Sequence, residues 1–88
     1  MQGVPEAAIS LQVAEPARPI TTSAAAITAE NEAVVGHIFS VIARLSRELG
    51  FAEKGYRVVS NIGEQGQQTV PHLHFHVLAG RDMTWPPG

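Results

Sequence analysis

Residues 71–78, PHLHFHVL, place His72, His74 and His76 at every second position and Leu73, Phe75 and Val77 between them. On a β-strand successive side chains point to opposite faces, so this run forces a strand with one ionisable face and one apolar face. A chain containing it must cover the apolar side with another hydrophobic layer and leave the imidazoles accessible to chemistry. With only four histidines in 88 residues, three of them at this spacing argue against an accidental polar surface.

The covering layer is legible upstream. Val34, Val35, Ile38, Val41, Ile42, Leu45 and Leu49 recur at spacings of three and four, which predicts an amphipathic helix over about 28–49. Thr28 is the expected N-cap, Glu30 and Glu32 suit the first turn, and Gly50 supplies the stop. Gly36 lies inside the helix at a cost of about 1 kcal/mol relative to alanine, which predicts close approach of a second element there. Beyond Gly55 the period becomes two: YRVVSN (56–61) and TVPHLHFHVL (69–78) are expected strands, joined by IGEQGQQ, with Pro71 near a strand start or edge. Residues 79–88 read as a C-terminal loop, ordered if Trp85 finds a surface to cover. The expected class is α+β, one helix on an antiparallel sheet.

Residues 1–26 contain Pro5, Pro16, Pro19 and an alanine run, and only ISLQV (9–13) alternates like a strand. The domain boundaries expected are therefore a loose or extended segment over 1–26 and a folded unit over 27–88.

Composition narrows the function. The net charge is −2 and the six Lys and Arg residues are scattered, so binding to a nucleic-acid backbone or an anionic membrane is not expected. With no cysteine there is no disulfide framework, no thiolate nucleophile and no cysteine zinc site; a reducing cytoplasm is compatible, and a cytoplasmic location is the expectation. No apolar run is long enough for a membrane span, and MQGVPEAAIS has neither the basic start nor the apolar stretch of a signal peptide.

Two chemistries suit three alternating imidazoles. Neutral imidazole binds zinc, but the Cα atoms of His72 and His76 would be about 13 Å apart on a regular strand, so a shared ion would need a bent strand or ligands such as His37, Glu64 or Asp82. The other is nucleophilic attack on phosphorus by one ring nitrogen, with neighbouring imidazoles on the same face binding the phosphate or passing a proton. The glycine-bearing loop fits an anion, and Asn61 and Thr69 at its mouths offer side-chain donors.

HLHFHVL resembles the histidine triad signature, His-φ-His-φ-His-φ-φ with φ apolar, and KGYRVVSNIGEQGQQTVPHLHFHVLAGRDMTWPPG resembles the Hint branch of that nucleotide-binding superfamily. The likeness is clear over residues 54–88 and fainter back to about 28. It implies hydrolysis of purine nucleoside 5′-phosphoramidates and related adenylates through a nucleotidyl-histidine intermediate, with no metal and no cofactor. By that resemblance His74 is the nucleophile, His76 a phosphate-contacting partner and His72 its buttress; Asn61, Gln67 and Thr69 are phosphate-side contacts; and Trp85 shapes the pocket of a second subunit in a homodimer. Family members carry in addition a first helix and about three strands that form the nucleobase and ribose pocket, a half that residues 1–26 do not resemble. The expected chain is thus a truncated domain that dimerises, is complemented by another chain or folds poorly. The alternative function is a weakly active or inactive nucleotide-binding or dimerisation module. Two departures stand out: Ala79 and Gln67 replace common glycines, and a side chain at 67 is tolerable only if its φ is negative.

Overall fold

The computed structural model describes residues 7–12 as backbone and residues 23–88 in full. Strand β1 (Ala7–Gln12) is followed by a 3-10 turn at Ala24–Ala26, helix α1 (Glu32–Glu48), strand β2 (Arg57–Val59) and strand β3 (His74–Ala79). The sheet is antiparallel with order β1-β3-β2. The expected α+β class, one helix on an antiparallel sheet, is what the chain adopts.

The histidine strand is the central strand. β1 pairs with it along six residues, from Ala7 opposite Ala79 to Gln12 opposite His74. β2 pairs on the other side, Arg57 with Leu78, Val58 with Val77 and Val59 with His76. A two-stranded hairpin behind a helix is therefore too small a description, because Ala7–Gln12, which takes in the first four residues of ISLQV, contributes the longer of the two pairings. Of the rest of the expected loose segment, Ala24–Ala26 forms the 3-10 turn, and residues 1–6 and 13–22, including Pro16 and Pro19, lie outside the described residues.

The core forms where the two periodicities meet. Ile38 and Ile42 of α1 and Phe51 beyond it cluster with Leu73, Phe75, Val77 and Ala79, all buried, and Val34, Val35 and Val58 pack on the margin. Burying each large apolar side chain stabilises the fold by about 1.5–3 kcal/mol, so this small cluster is its principal support. Phe39 extends it with an edge contact to Phe75 at 5.4 Å between ring centroids. The stripe frays at its end, where Leu49 is exposed.

The local corrections have simple causes. The helix begins at Glu32 because Asn31 is used backwards: its Oδ1 accepts the Thr28 N–H at 2.7 Å and its Nδ2 donates to the Ala26 carbonyl at 3.0 Å. Thr28 therefore closes the preceding turn, with Oγ1 accepting the Glu30 N–H, and does not cap the helix. Gly50 stops the helix as expected, at φ +84°. At Gly36 the expected close approach is absent, since a Cβ there would meet nothing within 4 Å. The expected strand over 69–78 is paired only from His74, because Pro71 has no N–H to donate and the His72 N–H is turned back onto the Val70 carbonyl at 2.8 Å. β2 is likewise shorter than 56–61.

Candidate active site

β3 delivers its two faces as its alternation requires. Leu73, Phe75 and Val77 enter the core, while His74 and His76 stand on the opposite face. The imidazoles form a contiguous row: the His72 and His74 ring centroids are 6.0 Å apart, those of His74 and His76 4.9 Å, and both pairs are near edge-to-face. His72 joins this row from the turn before the strand. His74, in the middle, is buried at 6 % exposure, whereas His72 and His76 are half-buried.

Burial of His74 comes with a defined bond. Its Nδ1 lies 2.9 Å from the His72 carbonyl oxygen. A carbonyl can only accept, so the proton of this contact sits on Nδ1, and in the neutral ring Nε2 keeps its lone pair. The His72 backbone, not its side chain, sets the tautomer.

That carbonyl is itself held. Gln68 Nε2 donates to the Val70 carbonyl at 3.0 Å and to the His72 carbonyl at 3.4 Å, while its Oε1 accepts the Gly63 N–H at 2.9 Å. One side chain thus ties the loop to the entrance of the triad. Just past the end of β2, Ser60 Oγ donates to the His74 carbonyl at 2.8 Å and fixes the backbone on the other side. Sequence reading missed both residues. The available signals were a buried-capable amide beside Gln67 and a serine ending the VVS run, neither distinctive without the fold.

The structure places the remaining expected contacts less compactly. Asn61 is half-buried, two residues beyond Val59, the β2 partner of His76. Thr69 lines a cavity of about 750 Å³ together with Ser23, Ile62, Glu64 and Val70, and none of the three histidines is among its walls. Gln67 is at φ +60°, so the condition of a negative φ is not met: it occupies the left-handed region with a side chain in place of a glycine. Its N–H is already given to the Glu64 carbonyl at 3.0 Å. Gly66 before it is sterically required, since a Cβ would lie 2.8 Å from Ile62 N and collide with the Ile62 carbonyl oxygen. Ala79 is accommodated without difficulty, buried at the end of β3 with the turn made by Gly80 at φ +102°. Trp85 is 82 % exposed, so the surface expected to order the C-terminal loop is not found among the described residues. Among the described residues no three His, Cys, Asp or Glu side chains are placed to hold one metal ion.

The HIT domain family model matches residues 16–83. The chain belongs to the HIT family. An uncharacterised HIT-like protein of Synechococcus elongatus is 43% identical over 84 residues, covering 96% of this chain and 71% of that protein. The likeness to HIT proteins thus reaches further back than residue 28. Among solved structures, a HIT family hydrolase from Legionella pneumophila Philadelphia 1 superposes with TM-score 0.75 at 29% identity, covering 92% of this chain and 80% of that one. A histidine triad protein from Clostridium difficile gives TM-score 0.70 at 28% identity over 93% of this chain and 84% of its own. Among the described residues no helix of this HIT chain is long and apolar enough to cross a membrane.

Proposed function

We propose that the chain is a nucleoside phosphoramidate hydrolase acting on purine nucleotides, with His74 as nucleophile. The observation that carries this reading is the bond between His74 Nδ1 and the His72 carbonyl, which leaves Nε2 as the nitrogen with the lone pair. Nε2 attacks the phosphorus, the P–N bond to the leaving group breaks, and the departing nitrogen takes a proton from the neighbouring imidazole of His76 or His72. Water then attacks the nucleotidyl-histidine, the P–N bond to His74 breaks, the nucleoside monophosphate leaves, and one water proton restores the donor imidazole. His76, whose ring stacks edge-on against His74, is the phosphate-contacting partner in this scheme, His72 the buttress, and Asn61, Gln67 and Thr69 the loop-side contacts. No cofactor enters the scheme.

A homodimer belongs to the same reading. β2 is an edge strand of only three residues, and Trp85 is an exposed aromatic on a loop tied to that edge by Arg57. A second copy would cover both, and molar mass in solution by light scattering tests it. The cysteine-free composition fits a cytoplasmic setting.

One observation favours a second reading, a nucleotide-binding module without turnover. The loop satisfies itself, with Gln68 N–H given to Gly63, Gln67 N–H to Glu64 and Gly63 N–H to Gln68, which leaves fewer amides to receive a phosphate. The deciding experiment is hydrolysis of a fluorogenic adenosine 5′-phosphoramidate by the purified chain, beside His74→Ala, with circular dichroism showing that both are folded. Turnover absent from His74→Ala supports the catalytic reading. Saturable nucleotide binding by a folded chain without turnover replaces it with the second.

A further inference from the structure

The turn that presents His72 to His74 has a local cause and a support from further along the loop. The His72 N–H donates to the Val70 carbonyl at 2.8 Å, two residues back, which closes a γ-turn about Pro71. The proline ring fixes φ at about −65°, close to what the centre of an inverse γ-turn requires, so the residue itself favours this turn. At its exit stands the His72 carbonyl, the acceptor for His74 Nδ1 at 2.9 Å. One hydrogen bond contributes little net stability in water, so a one-bond turn does not hold a carbonyl still by itself.

Gln68 supplies the second hold. Its Nε2 donates at 3.0 Å to the Val70 carbonyl, the same oxygen that receives the His72 N–H, and reaches the His72 carbonyl at 3.4 Å. A carbonyl oxygen has two lone pairs, so both bonds at Val70 are made together. The carboxamide oxygen accepts the Gly63 N–H at 2.9 Å, and the main-chain N–H of Gln68 donates to the Gly63 carbonyl at 3.0 Å. The donor end therefore grips the turn while the acceptor end is fixed across the loop. These ends have opposite demands, since carbonyls need an N–H and Gly63 offers one, and at this length only a carboxamide meets both.

We infer that Gln68 is a positioning residue for the hydrolysis proposed above. It holds the Val70–His72 turn so that the His72 carbonyl stays aimed at His74 Nδ1, and Nε2 stays the nitrogen with the lone pair. Without that acceptor nothing reserves the proton for Nδ1, and a ring protonated on Nε2 has no lone pair there for attack on phosphorus. The effect on turnover rests on the catalytic reading; the effect on the tautomer rests on the geometry alone.

Two substitutions separate the donor from the rest of the side chain. Gln68→Glu keeps the length and an oxygen for Gly63 but has no N–H for the two carbonyls, and Gln68→Met keeps the size and has neither. With circular dichroism showing the variants folded, long-range nitrogen–proton correlation on ¹⁵N-histidine protein reads His74 at a pH of about 8, where free imidazole is neutral. The unmodified chain is expected to hold the proton on Nδ1, and both variants to show a several-fold fall in that tautomer relative to the other. Kinetics are read on Gln68→Met, because the charge of glutamate would itself repel a phosphate. On a fluorogenic adenosine 5′-phosphoramidate, kcat and kcat/KM are expected to fall together by about tenfold with KM little changed. Folded variants in which His74 keeps its proton on Nδ1 overturn the inference, as does a shift in Gln68→Met alone, which would assign the tautomer to the Gly63 contact. A loss confined to KM overturns it too, since that marks a side chain that only binds. If the unmodified chain turns over no phosphoramidate, the catalytic reading fails and the tautomer alone decides: a shift in both variants sustains Gln68 as the residue that orients His74, and no shift overturns it.

Discussion

The imidazole of His74 is held by the backbone of His72, Nδ1 to carbonyl oxygen at 2.9 Å, so the orientation of the central histidine depends on a turn and not on the neighbouring side chain. That turn exists because Pro71 cannot pair and His72 N–H folds back onto Val70. The row of imidazoles is thereby anchored at its front by a turn and at its back by a strand hydrogen-bonded on both sides, which restrains the ring before any ligand arrives.

The first prediction separates the two parts of His72. In His72→Ala the carbonyl remains, so His74 is expected to keep its proton on Nδ1. Long-range nitrogen–proton correlation on a ¹⁵N-histidine sample reads the tautomer directly. A proton on Nε2 in the neutral ring of that variant would show that the His72 side chain sets it.

Gln68 offers a larger effect from a residue outside the triad. Gln68→Ala removes donors to the Val70 and His72 carbonyls and the acceptor for Gly63. At about 0.5–1.5 kcal/mol per lost bond, a destabilisation of about 1.5–4.5 kcal/mol is expected in urea unfolding, with weaker turnover of the phosphoramidate. Unchanged stability would mean that the loop does not depend on this side chain.

Adjacent loop positions should respond in opposite ways. Gly66→Ala pushes a Cβ into the Ile62 backbone and is expected to cost about 1–3 kcal/mol. Gln67→Gly relieves about 1 kcal/mol of left-handed strain against a similar loss in chain entropy, so it is expected to be close to neutral. Thermal melts of the two variants side by side test the contrast; equal shifts would contradict it.

Gly36 sits on open helix surface. Gly36→Ala is therefore expected to stabilise the chain by about 0.4–1 kcal/mol, which for a domain of this size raises Tm by about 2–8 °C. A lowered Tm would reveal a neighbour pressed against this face, as in a dimer that packs α1 against a second copy.

What the sequence determined by itself is what backbone period determines. The spacing of three and four from Val34 to Leu45 required a helix with one apolar face, and the alternation from Leu73 to Val77 required a strand that separates core side chains from imidazoles. Those two patterns place the hydrophobic layer and the row of histidines, and the HLHFHVL spacing points to the family, because each follows from neighbours along the chain. The tertiary structure decided everything that joins distant residues. That Ala7–Gln12 pairs beside the histidine strand, that Phe51 completes the core, and that Gln68 and Ser60 hold the carbonyls of His72 and His74 all depend on contacts across many residues of chain. Such contacts leave no periodic trace. A single glutamine or serine looks the same in the sequence whether it faces solvent or satisfies a carbonyl, and only the pairing of strands tells which.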